Sequence, residues 1–260
     1  METKQGYRVE HDCIGECLIP ESAYYGIHTQ RATENFKITR RKTNPEMIKS
    51  VAEIKKACAI TNFEAGVLSE KKKDAIVYAC DEIIWGRYID QFIVDPIQGG
   101  AGTSHNMNAN EVIANIAIEH LGGKLGDYSI IHPNDDVNMG QSTNDVYPTS
   151  GKIALIRLLG ETIESLKELE SALISKAEEF DDVIKMGRTQ MQDAIPIRLG
   201  QEFRAYATGI SRNIKLFKTA CTVLKTVNMG ATAIGTGLNA DVSYMDKIVK
   251  NLAQVTDLEL

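Results

Sequence analysis

Two long apolar stripes constrain the fold of this chain more than any other feature of its sequence. They lie between Lys152 and Phe180 and between Phe203 and Leu224, and neither run contains an interior proline. Apolar residues recur in steps of three and four, which predicts two long packed helices. The stripes consist of Ile156, Leu159, Ile163, Leu166, Leu169, Leu173, Ala177 and Phe180, then Phe203, Ala207, Ile210, Ile214, Phe217, Cys221 and Leu224.

A lone pair of helices of this length would leave much apolar surface in water. The alternative to a helical bundle is a plain monomeric helical hairpin. The sequence therefore favours a bundle that is completed by further helices of this chain or of partner subunits.

The N-terminal half has a different pattern. In residues 7–45, glycine, proline and aromatic residues occur without sustained periodicity, which indicates turns and short strands. Helical spacing begins at Pro45, recurs through Ala75, Ala79 and Ile83, and returns from Asn110 to Leu121. The predicted fold is mainly α, with a mixed N-terminal domain over residues 1–140 and a central helical-bundle domain, incomplete at its C-terminal part, over residues 141–260.

Composition excludes several classes of protein. The formal net charge is −6 and the 29 lysines and arginines are scattered, so we expect no nucleic-acid partner. The opening METKQGYRVEHD has no apolar core and no apolar run reaches membrane-spanning length, which favours a cytoplasmic protein. The five cysteines are expected to be reduced, and no spacing of histidine, cysteine or acidic residues predicts a metal site or another cofactor.

Three polar segments do not resemble simple linkers. The first, Gly99–Glu111, joins three glycines to many hydroxyls and amides at a helix start, where backbone N–H groups could hold an anion. Helix capping by Thr103, Ser104 or Asn106 is the structural alternative. The second, His132–Pro148, contains Ser142, Thr143 and Asn144, neutral donors that can orient a carboxylate.

In the second segment, a cap by Ser142 or Asn144 is compatible with a ligand role. The third segment, Met186–Phe203, places Arg188, Thr189 and Gln190 between the two long helices. It could be only a helix connection, although such connections seldom contain so many polar residues. A weaker candidate is Gly235–Asn239, whose glycines could simply mark a helix end.

These segments resemble signature regions of the aspartase/fumarase superfamily. The matches are GTSHNMNANE, GQSTNDVYPT and GRTQMQDA, in that order, and the opening YRVEHDCIGECLIPESAYYGIHTQRATENF is also similar. Several multi-residue matches in fixed order are far more specific than a single glycine pattern. His105 stands where the family pattern usually has a small residue.

The resemblance implies a lyase reaction on a dicarboxylate. In this family a base removes a proton from the carbon beside one carboxylate, and the aci-carboxylate dianion then expels an amine or a hydroxyl group. Carried over to this chain, Ser142, Thr143 and Thr103 bind that carboxylate. Asn144, Thr189 and Gln190 lie near the leaving amine or the other carboxylate, and Arg31 is a weaker candidate that could equally be solvated.

The motif variants favour L-aspartate as substrate. Members with hydroxylated substrates usually read GQSSND and GRTH, whereas this chain reads GQSTND and GRTQ. The expected products are fumarate and ammonia. The family's third signature, GSSxMPxKxNP, carries the catalytic serine base and matches nothing in residues 1–260, so the base is expected beyond Leu260 in a chain truncated before that loop.

The family also forms homotetramers in which each active site combines regions from three subunits. Three readings stay open: an aspartase portion, a class II fumarase-type hydratase, and an inactive relative that binds a dicarboxylate or joins full-length subunits.

Overall fold

The computed structural model describes residues 6–260, so the first five residues of the METKQ opening lie outside it. The chain divides into two compact units. Unit 1 combines Met1–Ala154 with Lys225–Leu260, and unit 2 is Leu155–Leu224. The predicted mainly α class is confirmed. Within residues 6–260, no helix combines the length and apolar character that crossing a membrane requires.

Unit 1 begins with an antiparallel hairpin of β1 (Tyr7–Asp12) and β2 (Gly15–Pro20), in which Tyr7 pairs with Pro20. Its turn is closed by Asp12, whose Oδ1 accepts the backbone N–H groups of Ile14 and Gly15. Helix α1 (Ile27–Asn35) follows. The hairpin confirms the predicted short strands, whereas α1 lacks a local cap and was not predicted.

Helix α2 (Pro45–Glu64) begins at the predicted Pro45, and α3 (Glu70–Ile84) contains the predicted run Ala75, Ala79 and Ile83. Asn44 caps α2 because its Oδ1 accepts the N–H of Glu46 at 2.8 Å, and Pro45 occupies the first turn, where its missing N–H has no cost. Ser69 caps α3 in the same way. Both predicted helices are confirmed.

Helix α4 (Thr103–His120) corrects the prediction that this helix starts at Asn110. The asparagines that suggested a loop lie inside the helix and are buried, as are His105 and Glu111. These polar side chains are tolerated in the core because they form hydrogen bonds with distant segments. Asn108 donates to the Gln91 carbonyl and Asn115 donates to the Tyr24 carbonyl. Together with α2 and α3, α4 forms the larger core of unit 1.

The second core of unit 1 forms between α2, the start of α5 (Thr143–Glu179) and α7 (Val242–Thr256). Helix α5 begins before the predicted Lys152 and contains Pro148. Pro148 has no N–H for the carbonyl of Asn144, and the Nδ2 group of Asn228 donates to that carbonyl at 2.8 Å instead. The early start of α5 is thus compatible with its proline.

Unit 2 contains the rest of α5, a second hairpin and α6 (Leu199–Leu224). The hairpin pairs β3 (Ile184–Thr189) with β4 (Gln192–Arg198) and turns at Gln190 and Met191, both left-handed with φ of 51° and 61°. Sequence reasoning predicted only a polar connection here. The helices themselves are confirmed, and the stripe residues Ile163, Ala177, Ala207 and Ile214 are buried.

A single carboxylate holds the segment that precedes α2. Asp95 is buried, and its oxygens accept the N–H groups of Thr39 at 2.6 Å and Arg40 at 2.7 Å, the Thr39 hydroxyl at 2.8 Å and the N–H of Ile97 at 2.9 Å. Burial would raise the pKa of Asp95, but these hydrogen bonds outweigh it and lower the pKa to about 2.

We expect Asp95→Asn to destabilise the chain at neutral pH, and this deficit to shrink in acid. Because the folded pKa lies below the ordinary value of 3.8, the contribution is complete above that pH and is lost as the pH falls towards about 2. Denaturant unfolding of both proteins between pH 7 and pH 3 measures it. Asp90→Asn, at an exposed aspartate, is the control; an equal deficit in both variants would contradict the assignment.

Candidate substrate-binding site

The first two polar segments meet at one cleft in unit 1. Ala101 and Gly102, just before α4, line one side, and Asn144, Tyr147 and Pro148 of α5 line the other. The cleft has a volume of about 430 Å³. The structure therefore brings together two segments that are separated by some forty residues of sequence.

The turn before α4 requires unusual backbone geometry. Gly100, Ala101 and Gly102 all have positive φ, at 72°, 51° and 93°. Gly102 lies directly against the ring of Tyr147, and a Cβ at this position would overlap that ring. Glycine at 102 is thus needed both for its backbone conformation and for the close approach of α4 to α5.

The cap of α4 differs from each predicted alternative. None of Thr103, Ser104 and Asn106 caps the helix; the Oε1 atom of Gln98 accepts the N–H of His105 at 2.8 Å. The Thr103 hydroxyl donates to the Gly100 carbonyl at 2.6 Å. Thr103 therefore stands at the helix start as predicted, with its proton directed at the turn in this structure.

The start of α5 is capped by Ser142, as one alternative predicted. Its Oγ accepts the N–H of Asn144 at 3.2 Å, and Asp145 Oδ1 accepts the N–H of Ser142 at 2.9 Å. Asp145 Oδ2 also accepts the N–H of Thr232 at 3.1 Å. Burial raises the pKa of Asp145, and the hydrogen bonds from Ser142 and Thr232 oppose that rise.

The hydroxyls of Ser142 and Thr143 are each held by one hydrogen bond that they accept. Thr143 Oγ1 accepts from Asn106 Nδ2 at 3.1 Å, and Ser142 Oγ accepts from the backbone N–H of Asn144. These bonds use the oxygen atoms, so each O–H is left to donate to a ligand. Both side chains are half-buried, so a carboxylate could receive these bonds in a partly dehydrated place.

The side chain of Asn144 is held by a hydrogen bond that it donates. Its Nδ2 donates one hydrogen bond to the Ala233 carbonyl at 2.8 Å, which leaves Oδ1 and the second N–H of the amide for a ligand. The Oδ1 atom can accept from an ammonium group, and the second N–H can donate to a carboxylate. Asn144 can therefore contact either end of an amino dicarboxylate.

The sequence did not reveal the groups that hold the loop before Ser142 in place. Lys55 of α2 is fully buried, and its Nζ donates to Asn138 Oδ1 at 2.7 Å and to Gln141 Oε1 at 2.9 Å. Asn106 also donates to Asn138, at 3.2 Å. The network thus joins α2 and α4 to the residues that precede Ser142. A lysine on the otherwise apolar face of α2 was the available signal.

Burial lowers the pKa of Lys55 from 10.5 to about 8. We expect Lys55→Met to lower the free energy of unfolding by about 2 kcal/mol at pH 7.5, because two partly buried acceptors lose a charged donor. The unfolded chain binds this proton more strongly between pH 8 and 10.5, so the wild-type chain should gain stability relative to the variant as the pH rises through that range.

Denaturant unfolding at pH 7.5 and 9.5 measures both effects. Lys71→Met, at an exposed lysine of α3, is the control and should change neither stability nor its pH dependence by more than a few tenths of a kcal/mol. A Lys55→Met protein that keeps the wild-type pH dependence would contradict the role given to Lys55.

The remaining predicted residues lie elsewhere. Arg31 forms a bidentate pair with Asp12, at 2.9 and 3.1 Å, and donates to the Gly15 carbonyl, so its guanidinium holds the first hairpin. Thr189 and Gln190 are exposed at the tip of the unit 2 hairpin, and their part in the site stays a prediction. Among residues 6–260, no cluster of three His, Cys, Asp or Glu side chains could hold a metal ion.

Comparison with known proteins agrees with the motifs. A family model described as "Lyase" matches residues 15–259. Aspartate ammonia-lyase of Bacillus subtilis (strain 168) is 55% identical over 98% of this chain and 54% of its own length. The corresponding protein of Escherichia coli (strain K12) is 47% identical over 96% of this chain and 53% of its own length.

Solved structures share the fold. A fumarate lyase:delta crystallin from Brucella melitensis superposes with a TM-score of 0.93 at 49% identity, over 98% of this chain and 56% of that one. A class II fumarase from Schistosoma mansoni gives a TM-score of 0.88 at 37% identity, over 96% and 53%. The chain spans about half the length of the curated relatives it matches. By these matches the chain belongs to the lyase family of the aspartase/fumarase superfamily.

Proposed function

We propose that this chain provides the carboxylate-binding part of an aspartate ammonia-lyase, which converts L-aspartate reversibly into fumarate and ammonia. The observation that carries the proposal is the pair of hydroxyls at Ser142 and Thr143, both left free to donate at one helix start. Relatives that bear this enzyme name, at 47% and 55% identity, support the choice of substrate.

The reaction requires charge to develop on one carboxylate. A base removes the proton from the carbon beside that carboxylate, and the electron pair of the broken C–H bond moves into an aci-carboxylate dianion. The C–N bond to the adjacent carbon then breaks, the electron pair leaves with the amine, and fumarate remains. Neutral donors from Ser142 and Thr143, joined by Thr103 once its hydroxyl turns from the Gly100 carbonyl to the substrate, would strengthen their hydrogen bonds as the second charge forms.

The leaving amine needs acceptors rather than donors. Asn144 Oδ1 can accept from an ammonium group, and the bond from Nδ2 to the Ala233 carbonyl holds this side chain in place. We place Thr189 and Gln190 at the same end of the substrate or at its other carboxylate; Gln190 can accept and donate hydrogen bonds but cannot titrate. The serine base belongs to the family motif GSSxMPxKxNP, which residues 1–260 do not contain.

We further propose a cytoplasmic homotetramer with composite active sites and a domain boundary near residue 140. Large apolar side chains on the unit 2 helices support the assembly: Leu169 is 46% exposed, Leu216 65% and Val223 69%. Side chains of this kind on long helices are typical of surfaces that another helix covers. Association would also place donors from several chains at one site.

Fumarate absorbance after addition of L-aspartate tests the proposal, with the chain extended by the family segment that carries the third motif. Fumarate formation from L-aspartate, with none from L-malate, is the expected result. Fumarate from L-malate alone would instead establish a fumarase-type hydratase. Binding of a dicarboxylate without turnover of either substrate would establish an inactive relative.

A further inference from the structure

A basic cleft in unit 1 has no part in the proposed reaction. The segment KITRRK, residues 37–42, places Lys37, Arg40, Arg41 and Lys42 around a cavity of about 270 Å³. Phe36 and Ile93 supply its apolar wall. Four cations within six residues are an exception to the scattered distribution expected for lysine and arginine, in a chain whose formal net charge is −6.

These cations are not neutralised within the part of the chain that the structure describes. All four side chains are exposed, and among residues 6–260 none of them takes part in an ion pair. Other basic residues nearby are paired, for example Arg31 with Asp12 and Lys49 with Glu46. The basic segment is thus a local excess of charge rather than part of a salt-bridge network.

The two carboxylates at the cleft do not cancel this excess. Asp95 is occupied by four donors from Thr39, Arg40 and Ile97, and Asp90 accepts from the side chain of Gln91. Four positive and two negative side chains leave a formal charge of +2 at the cleft. A bound anion with at least two negative charges would match it.

One residue of the cleft, Arg40, has an energetically unfavourable backbone conformation. Arg40 has a left-handed φ of 57°, which a side chain other than glycine rarely adopts. Asp95 fixes this conformation through the N–H groups of Thr39 and Arg40, at 2.6 and 2.7 Å. An arginine whose backbone is held in an unfavourable conformation, next to three further basic residues, favours a binding role over a solvated surface.

We propose that this cleft binds a phosphate-bearing anion of charge two or higher. Guanidinium groups match the paired oxygens of a phosphoryl group, and Arg40 and Arg41 provide two of them. The volume lies just below the usual range for drug-sized ligands, and one or two phosphoryl groups fit within it. Free diphosphate and a phosphorylated metabolite share this chemistry.

Titration calorimetry of the full chain with inorganic diphosphate tests the proposal, in low salt and again in about 0.5 M NaCl, where charge interactions are screened. We expect one saturable site whose affinity falls at least tenfold in high salt. Glucose 6-phosphate as a second ligand separates the sources: tighter binding than diphosphate identifies a phosphorylated metabolite, and weaker binding identifies free diphosphate.

The test variant is Arg40→Gly with Arg41→Gln, which removes two charges and gives position 40 the residue that its backbone conformation prefers. Affinity for diphosphate should fall at least tenfold with an unchanged thermal midpoint or a higher one. The control is Arg204→Gln with Arg212→Gln, at two exposed arginines of α6.

Three results would overturn the proposal. One is equal loss of affinity in both double variants, which would indicate a response to net charge alone. Another is unchanged affinity in the Arg40 and Arg41 variant. The third is tighter binding of succinate or of a short single-stranded oligonucleotide than of diphosphate, which would indicate a site for a carboxylate or for nucleic acid.

Discussion

Replacing Glu111 by alanine should lower the free energy of unfolding by about 4 kcal/mol or more, a larger stability change than the one expected at Lys55. Glu111 is 1% exposed and its carboxylate accepts the N–H groups of Gly26, His28 and Thr29 and the Thr29 hydroxyl, at 2.6 to 3.1 Å. Each buried donor left without a partner costs about 1 to 3 kcal/mol.

The same carboxylate provides the cap that α1 lacks. Gly26 has no side chain to cap α1, so the N–H groups of His28 and Thr29 depend on Glu111 from α4, while Glu10 accepts the N–H of Ile27. Burial raises the pKa of Glu111, and the hydrogen bonds from Thr29, His28 and Gly26 oppose that rise. Loss of the side chain should therefore release α1 and, with it, the contact of Arg31 with the first hairpin.

Denaturant unfolding, followed by circular dichroism, measures the effect. Glu119→Ala is the matched control, because Glu119 lies on the same helix, is exposed and accepts one bond from Tyr24. The control should lose less than about 1 kcal/mol. Similar losses in the two variants would show that Glu111 does not anchor α1. If Glu111→Ala is too unstable to purify, Glu111→Gln retains one acceptor and should show an intermediate loss.

Periodicity accounts for what could be predicted of the fold. Helices α2, α3, α5 and α6 each present apolar residues at helical spacing, and local caps such as Asn44 and Ser69 mark the starts of two of them. These signals lie within a few residues of the elements they define. For this reason they can be read from one sequence without knowledge of tertiary contacts.

The errors arise where the deciding partner is distant in the sequence. Helix α1 depends on Glu111, more than eighty residues away, and the amides of α4 looked like a loop because their partners lie in other segments. The cap of α4 by Gln98 was not predicted either, because glutamine is an uncommon capping residue. The unit 2 hairpin turns at Gln190 and Met191, which lack the usual glycine or asparagine signal.

The site shows the same division between local and distant signals. Ser142 and Thr143 could be selected from their motif, and the cap by Ser142 is a local pattern. Their support could not, because Lys55 and Asn106 reach the loop through Asn138 from two other helices. A motif identifies which groups can contact a ligand, whereas packing determines how rigidly those groups are held.

The same distinction determines which variant best tests catalysis. Ser142→Ala removes a helix cap as well as a donor, and loss of a cap alone costs about 1 kcal/mol of stability. Thr143 has no capping role; its oxygen accepts from Asn106 only, and its proton is free to donate. Thr143→Val keeps the shape of the side chain and removes the donor, so its effect on rate can be assigned to that donor.

If the proposed function holds, Thr143→Val in the chain extended by the third family motif should lower kcat for L-aspartate by about 10²- to 10³-fold, the usual effect of losing one donor to a developing anion. KM should change much less, because the donor acts mainly after the second charge forms. Thr143→Ser should restore most of the rate, and Thr162→Val, at an exposed threonine of the same helix, should leave it unchanged. A rise in KM at constant kcat would instead assign Thr143 to ground-state binding. An unchanged kcat/KM would show that Thr143 is not part of the site, because a hydroxyl that stabilises the dianion must lower the free energy of the transition state.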